Sequence, residues 1–140
     1  MEKIKRGQIS IEYLILLGFV IFIIISFLGV SLLYSAQIKD RIKFNHVNNF
    51  ATKIIQSSES VFYAGEPSKV TITLFLPEGV KSIEIQGNQL VFDVTTNSGI
   101  TKIAYTSNVP IQIQGSISPS QGIKRLQIKA QQSNVLITQY

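Results

Sequence analysis

Three regimes of hydrophobic and polar residues follow one another along the chain, and each predicts a different element. From residue 13 to residue 38 there is no charged side chain, and 26 consecutive uncharged, mostly apolar residues read as one helix. At 1.5 Å per residue that run spans about 39 Å, against the roughly 30 Å of a bilayer hydrocarbon core. Tyr13 and Tyr34 bracket it about 31 Å apart on the same rise, the spacing of aromatic anchors at two membrane interfaces. From residue 37 to residue 62 the helical period persists while the sequence turns polar. Ile38, Ile42, Val47, Phe50, Ala51, Ile54, Ile55, Ser58, Val61 and Phe62 fall at steps of three and four, apart from the five between Ile42 and Val47, with lysines, asparagines and glutamines between them. No Gly or Pro interrupts residues 31–64, so a single helix is expected to pass from the apolar run into an amphipathic second half. Gly65 supplies a C-terminal stop and Pro67 enforces it.

Beyond residue 68 the period shortens to two and β-branched residues become abundant. Val70, Ile72, Leu74 and Leu76 alternate with polar neighbours before the turn Pro77-Glu78-Gly79. Ile83 and Ile85 precede the hairpin signal Gly87-Asn88. Leu90, Phe92 and Val94 lead to the turn Thr96-Asn97-Ser98-Gly99, and Ile103 and Tyr105 follow it. Ile111 and Ile113, then Leu126, Ile128 and Ala130, and finally residues 135–138 complete about seven short strands. Strands at this spacing predict an antiparallel β-sandwich or barrel-like head. The fold class is therefore α+β, a long N-terminal hydrophobic then amphipathic helix followed by a β-rich domain. The apolar face of the second half-helix needs cover, and the head is the expected partner.

At the start of the apolar run lies the segment Arg6-Gly7-Gln8-Ile9-Ser10-Ile11-Glu12-Tyr13, preceded by Lys3 and Lys5. A Glu attached to a spanning helix costs on the order of 2.5–3.5 kcal/mol if it enters hydrocarbon, so such residues tend to have a partner and a purpose. In an ordinary anchor Glu12 would sit among headgroups, favoured by the helix dipole in the first turn. The basic leader, the Gly, the Gln-x-Ser-x-Glu-Tyr pattern and the apolar run closely resemble the class III signal peptide of archaeal type IV pilins. The resemblance covers about 30 residues and is specific in its fixed motif; the remaining hundred residues are compatible with a pilin head without identifying one.

That resemblance implies cleavage between Gly7 and Gln8 by a membrane prepilin peptidase that recognises Lys5, Arg6, Gly7, Gln8, Ser10 and Glu12. Glu12 would be fifth from the new amino terminus, and Gln8, Glu12 and Tyr13 would take part in assembly. The expected organisation is residues 1–7 as cleaved leader, residues 8–64 as helix (13–38 membrane-spanning and later filament core, 39–64 amphipathic) and residues 65–140 as extracellular head. The implied partners are the peptidase, identical or related subunits in a helical polymer, an assembly ATPase and a membrane platform protein. The implied route runs from the cytoplasmic membrane to an adhesive pilus on the cell surface. Archaellins lack this form of the motif. A minor pilin at tip or base would share the same amino terminus, and a single-pass anchored binding module that never polymerises is the alternative of a different class.

A secretory signal peptide of the ordinary kind would have an apolar core of 7–15 residues ending in a small-residue exit, which this longer run lacks. The flanking charges do not set orientation, since the leader and residues 39–43 each sum to +2; the head lies outside only on the strength of the resemblance. Composition narrows the rest. The 140 residues leave room for one span and one modest domain, and with no cysteine neither disulfides nor thiolate metal sites can support it. The net charge of +5 falls to +3 without the leader (ten Lys and Arg against seven Asp and Glu) and is dispersed, so nucleic acid is not an expected partner. The sole histidine, His46, is expected at the surface of the helix. No paired carboxylates, nucleophile with a base, or phosphate-cradling glycine loop is evident, so no enzymatic activity and no cofactor are expected. No Asn-x-Ser/Thr sequon occurs, a departure if pilins of this kind are usually N-glycosylated.

Overall fold

The computed structural model describes residues 3–140, with side chains from Ser10 onward. One α-helix, α1 (Lys3–Ala64, 62 residues), precedes seven strands: β1 (Lys69–Leu76), β2 (Val80–Gln86), β3 (Gln89–Thr96), β4 (Gly99–Thr106), β5 (Ile111–Gln114), β6 (Gly122–Ala130) and β7 (Val135–Gln139). The chain divides into two units, Met1–Lys39 and Asp40–Tyr140. The α+β class, the number of strands and the end of the helix agree with the reading of the sequence.

The helix stops where its backbone must turn left-handed. Gly65 has φ +75°, and its N–H donates to the Phe62 carbonyl at 3.1 Å, satisfying one of the orphan acceptors of the last turn. An added Cβ at Gly65 would meet nothing within 4 Å, so only the backbone angle favours glycine there. The Glu66-Pro67 peptide bond is cis.

In the Asp40–Tyr140 unit the strands form two sheets, β1-β6-β7-β5 and β2-β3-β4. The second is an antiparallel meander whose first turn uses Gly87 at φ +62°. The first departs from the antiparallel expectation in one pair: β5 and β7 run parallel. The physical cause is topological. β5 and β6 run in opposite directions, joined by residues 115–121, and β7 inserts between them; being antiparallel to β6, it is necessarily parallel to β5.

Side-chain alternation distributes the strands' residues as their period predicts. Leu76, Leu126, Ile128, Ala130, Val135 and Ile137 from one sheet and Val80, Ile83, Leu90, Phe92 and Val94 from the other share one buried cluster. The amphipathic half of α1 completes it with Val47, Phe50, Ala51, Ile54 and Val61, and the Phe50 ring meets Phe92 of β3 edge-on at 6.1 Å. The apolar face begins later than its periodicity indicates: Ile42 is exposed, and full burial starts at Val47. Ile38, counted on the same stripe, is exposed and belongs to the other unit.

Polar contacts also hold the helix to the sheets and their connections. Asp40 accepts the Asn97 N–H at 3.1 Å, Lys43 Nζ donates to the Thr95 carbonyl at 2.7 Å, and Glu59 accepts from the Asn108 side-chain amide at 2.8 Å. The Ser58 hydroxyl, by contrast, is buried on the inner face with no hydrogen-bond partner among the described residues.

Candidate functional site

The apolar part of α1 is the part of the chain that its own fold leaves uncovered. Between Ile11 and Ile38 every large aliphatic and aromatic side chain is exposed, and the helix is long and apolar enough by length and composition to cross a membrane. A helix with apolar residues all round normally lies in a protein core or in lipid. Among the described residues none of the most apolar stretch is buried. Along it Ser26 Oγ donates to the Phe22 carbonyl at 2.8 Å, satisfying a polar group inside the helix, as a water-free surrounding requires. Added Cβ atoms at Gly18 and Gly29 would meet nothing within 4 Å, so neither glycine serves a close approach within the chain.

Of the residues singled out by the motif, Ser10, Glu12 and Tyr13 lie exposed on α1. Glu12 has no hydrogen-bond or ion-pair partner among the described residues. The side chains of Lys5, Arg6, Gly7 and Gln8 lie outside the described residues; their backbone belongs to α1, which runs through the Gly7-Gln8 junction. The helix therefore begins before the boundary placed at residue 8. On a helix, Ser10 and Tyr13, three apart, share a face, whereas Glu12 stands about 200° round from Ser10.

In the Asp40–Tyr140 unit a groove of about 670 Å³ runs between β2 and β5, the facing edges of the two sheets. Ile83, Ile85, Ile111 and Ile113 line it, and Glu84 is its one ionisable residue. A second groove of about 460 Å³ lies between α1 and β1, with His46, Lys53 and Gln56 on one side and Leu74 and Phe75 on the other. His46 is exposed, as its place in the sequence indicates, and its ring meets the Phe75 ring edge-on at 5.7 Å. Among the described residues no three His, Asp or Glu side chains are grouped so as to hold a metal ion.

No family model, no curated protein and no solved structure matches the chain.

Several outward-facing apolar residues escaped the reading of the sequence. Phe75, Ile100 and Ile123 are exposed because each falls on the solvent side of its strand. Parity alone could have marked Phe75 and Ile123, since each is one step out of phase with its strand's buried residues. Lys124 is the converse, a lysine on the inner face of β6 in phase with Leu126, buried and donating to the Ser120 hydroxyl at 2.8 Å.

Proposed function

We propose that this chain is an archaeal type IV pilin precursor: a structural subunit inserted in the cytoplasmic membrane, cut between Gly7 and Gln8, and polymerised through its N-terminal helix into an extracellular pilus. The observation that carries the reading is a conjunction. The motif Gln8-x-Ser10-x-Glu12-Tyr13 lies on α1 at the start of an apolar run whose side chains are exposed among the described residues. Such a helix requires a surrounding that excludes water, and burying apolar area is worth roughly 25 cal/mol per Å². Lipid supplies that surrounding for a precursor, and the helices of identical subunits supply it in a filament. Exchanging one for the other conserves the cover while fixing the subunits in an array.

The β-rich unit fits the role of outer wall. The inner face of its half-helix, from Val47 to Val61, is taken up by its own core, which leaves the apolar half for association with other molecules. In this reading the leader holds the precursor until a prepilin peptidase removes it, and an assembly ATPase with a membrane platform protein extracts the mature subunit.

The test is the intact mass of the membrane-extracted chain. Loss of residues 1–7 is expected, together with accumulation of the full-length precursor when Gly7 is replaced by a bulky residue. A native chain that keeps residues 1–7 would refute the reading and favour an anchored binding module instead. Copy number per filament separates a major subunit from a minor one.

A further inference from the structure

The exposed apolar side chains of the Asp40–Tyr140 unit are not scattered. Six large hydrophobic residues are exposed in it, and five of them lie at the Asp40 end: Ile42 (50%), Phe75 (46%), Ile100 (67%), Ile123 (72%) and Tyr140 (71%). The sixth, Tyr63, is 21 residues further along α1 than Ile42, about 31 Å away on the helical rise.

Their common location follows from bonds within the unit. Ile100 pairs with Thr95, whose carbonyl accepts Lys43 Nζ at 2.7 Å, and the adjoining turn donates the Asn97 N–H to Asp40 at 3.1 Å. Phe75 reaches α1 through His46, and Ile123 stands opposite Phe75 in the β1–β6 register. Tyr140 donates its N–H to the carbonyl of Arg125, two residues beyond Ile123, at 3.1 Å. Exposed basic side chains stand near these in the chain: Arg41 on α1 next to Ile42, Lys81 at the start of β2, and Arg125 on β6 two residues from Ile123. Asp40 is engaged by the turn, and Glu78 is the exposed carboxylate of the β1–β2 connection.

Single exposed hydrophobes need no explanation, but several at one end of a unit, with exposed cations beside them in the chain, point to a contact surface. Asp40 is joined by one peptide bond to Lys39, which ends the unit containing the apolar run. Apolar and aromatic side chains mixed with Lys and Arg are the composition that settles into a lipid headgroup layer, the rings and aliphatic groups entering and the cations meeting phosphate. We propose that before assembly this end of the head rests on an anionic bilayer surface, with Ile100, Ile123 and Tyr140 at headgroup depth and Arg41, Lys81 and Arg125 against lipid phosphates. The proposal rests on the membrane reading of α1.

The absence of cysteine makes a direct test available. Single variants Ile100→Cys, Ile123→Cys, Tyr63→Cys and Phe22→Cys of the full chain are labelled with an environment-sensitive fluorophore and reconstituted in vesicles. Two compositions are compared, phosphatidylcholine alone and phosphatidylcholine with phosphatidylglycerol, each carrying a headgroup spin-labelled lipid as quencher; acyl-chain spin-labelled lipid serves for the Phe22 position. Quenching at positions 100 and 123 is expected to exceed that at position 63 several-fold, and to be stronger with phosphatidylglycerol. Quenching that matches position 63, or that is indifferent to the anionic lipid, overturns the proposal while acyl-chain quenching at position 22 leaves the membrane reading standing. An unquenched position 22 removes both. Shielding at positions 100 and 123 that grows with protein-to-lipid ratio without lipid quenching assigns the surface to a second copy of the chain and likewise overturns the proposal.

Discussion

Phe50 is the residue on which the joining of helix and sheets can be measured. It is fully buried on α1, and its ring lies edge-on to Phe92 at 6.1 Å inside a cluster drawn from both sheets. Phe50→Ala removes the ring and leaves a cavity. Core Phe→Ala changes cost about 3–5 kcal/mol, a range that includes the transfer of the ring and the incomplete collapse around it. A domain holds only about 5–15 kcal/mol in total, so the variant stays folded at low temperature but loses much of its margin. For a domain of this size each kcal/mol moves the midpoint by about 4–8 °C, so a fall of about 12–40 °C is expected. The assay is thermal unfolding of the full chain in detergent micelles, followed by near-ultraviolet circular dichroism, which reports the packed aromatic residues of the head. Phe22→Ala, on the exposed apolar part of the same helix, is the control and should leave that midpoint in place. A Phe50→Ala midpoint within a few degrees of the parent would refute the argument that residues 47–61 of α1 form the head's core.

Other consequences can be checked with similar means. On the proposed pilin reading, Glu12→Ala is expected to be inserted and cleaved yet to be missing from sheared pili when co-expressed with the parent. Cleavage would create an ammonium at Gln8, and the amino terminus of an adjacent subunit can pair a carboxylate that is costly to bury alone; normal incorporation would show Glu12 to be an interfacial helix-start residue only. Ser58→Ala should raise the unfolding midpoint, since the hydroxyl it removes is buried without a partner and such groups cost about 1–3 kcal/mol; a lowered midpoint would contradict this. Burial pushes the Tyr105 phenol above its ordinary value of 10.0, so its neutral form is favoured by folding. The associated stability is complete below pH 10 and is lost as pH rises through the folded-state value; Tyr105→Phe should flatten that alkaline decline, and an unchanged slope would locate the effect elsewhere.

Much of the architecture is legible in one dimension because its causes are local. The helix ends at Ala64 because Gly65 can turn left-handed, and strand parity places Leu90, Phe92, Val94, Leu126 and Ile128 inside because successive side chains point to opposite faces. The uncovered apolar run and the motif around Glu12 are equally local, and they carry the proposed function. Strand order is another matter. Nothing in the composition of β7 announces that it will insert between β6 and β5, making one pair parallel, because that choice depends on which closed loops can be covered and not on the strand's own residues. Periodicity likewise includes Ile42 among the core-facing positions, whereas the sheets cover α1 fully only from Val47. The anchoring of Asp40, Lys43 and Glu59 to main-chain and side-chain groups 49–57 residues away is also invisible in the sequence, since a polar residue on a helix has no mark naming its partner. Ile100, Ile123 and Tyr140 are separate surface residues along the chain, and only the folding of the two sheets onto α1 gathers them at one end of the head. Local chain chemistry determined which elements form and which face of each is apolar; the competition among long-range pairings, decided by burial and loop closure together, determined which of those faces meet.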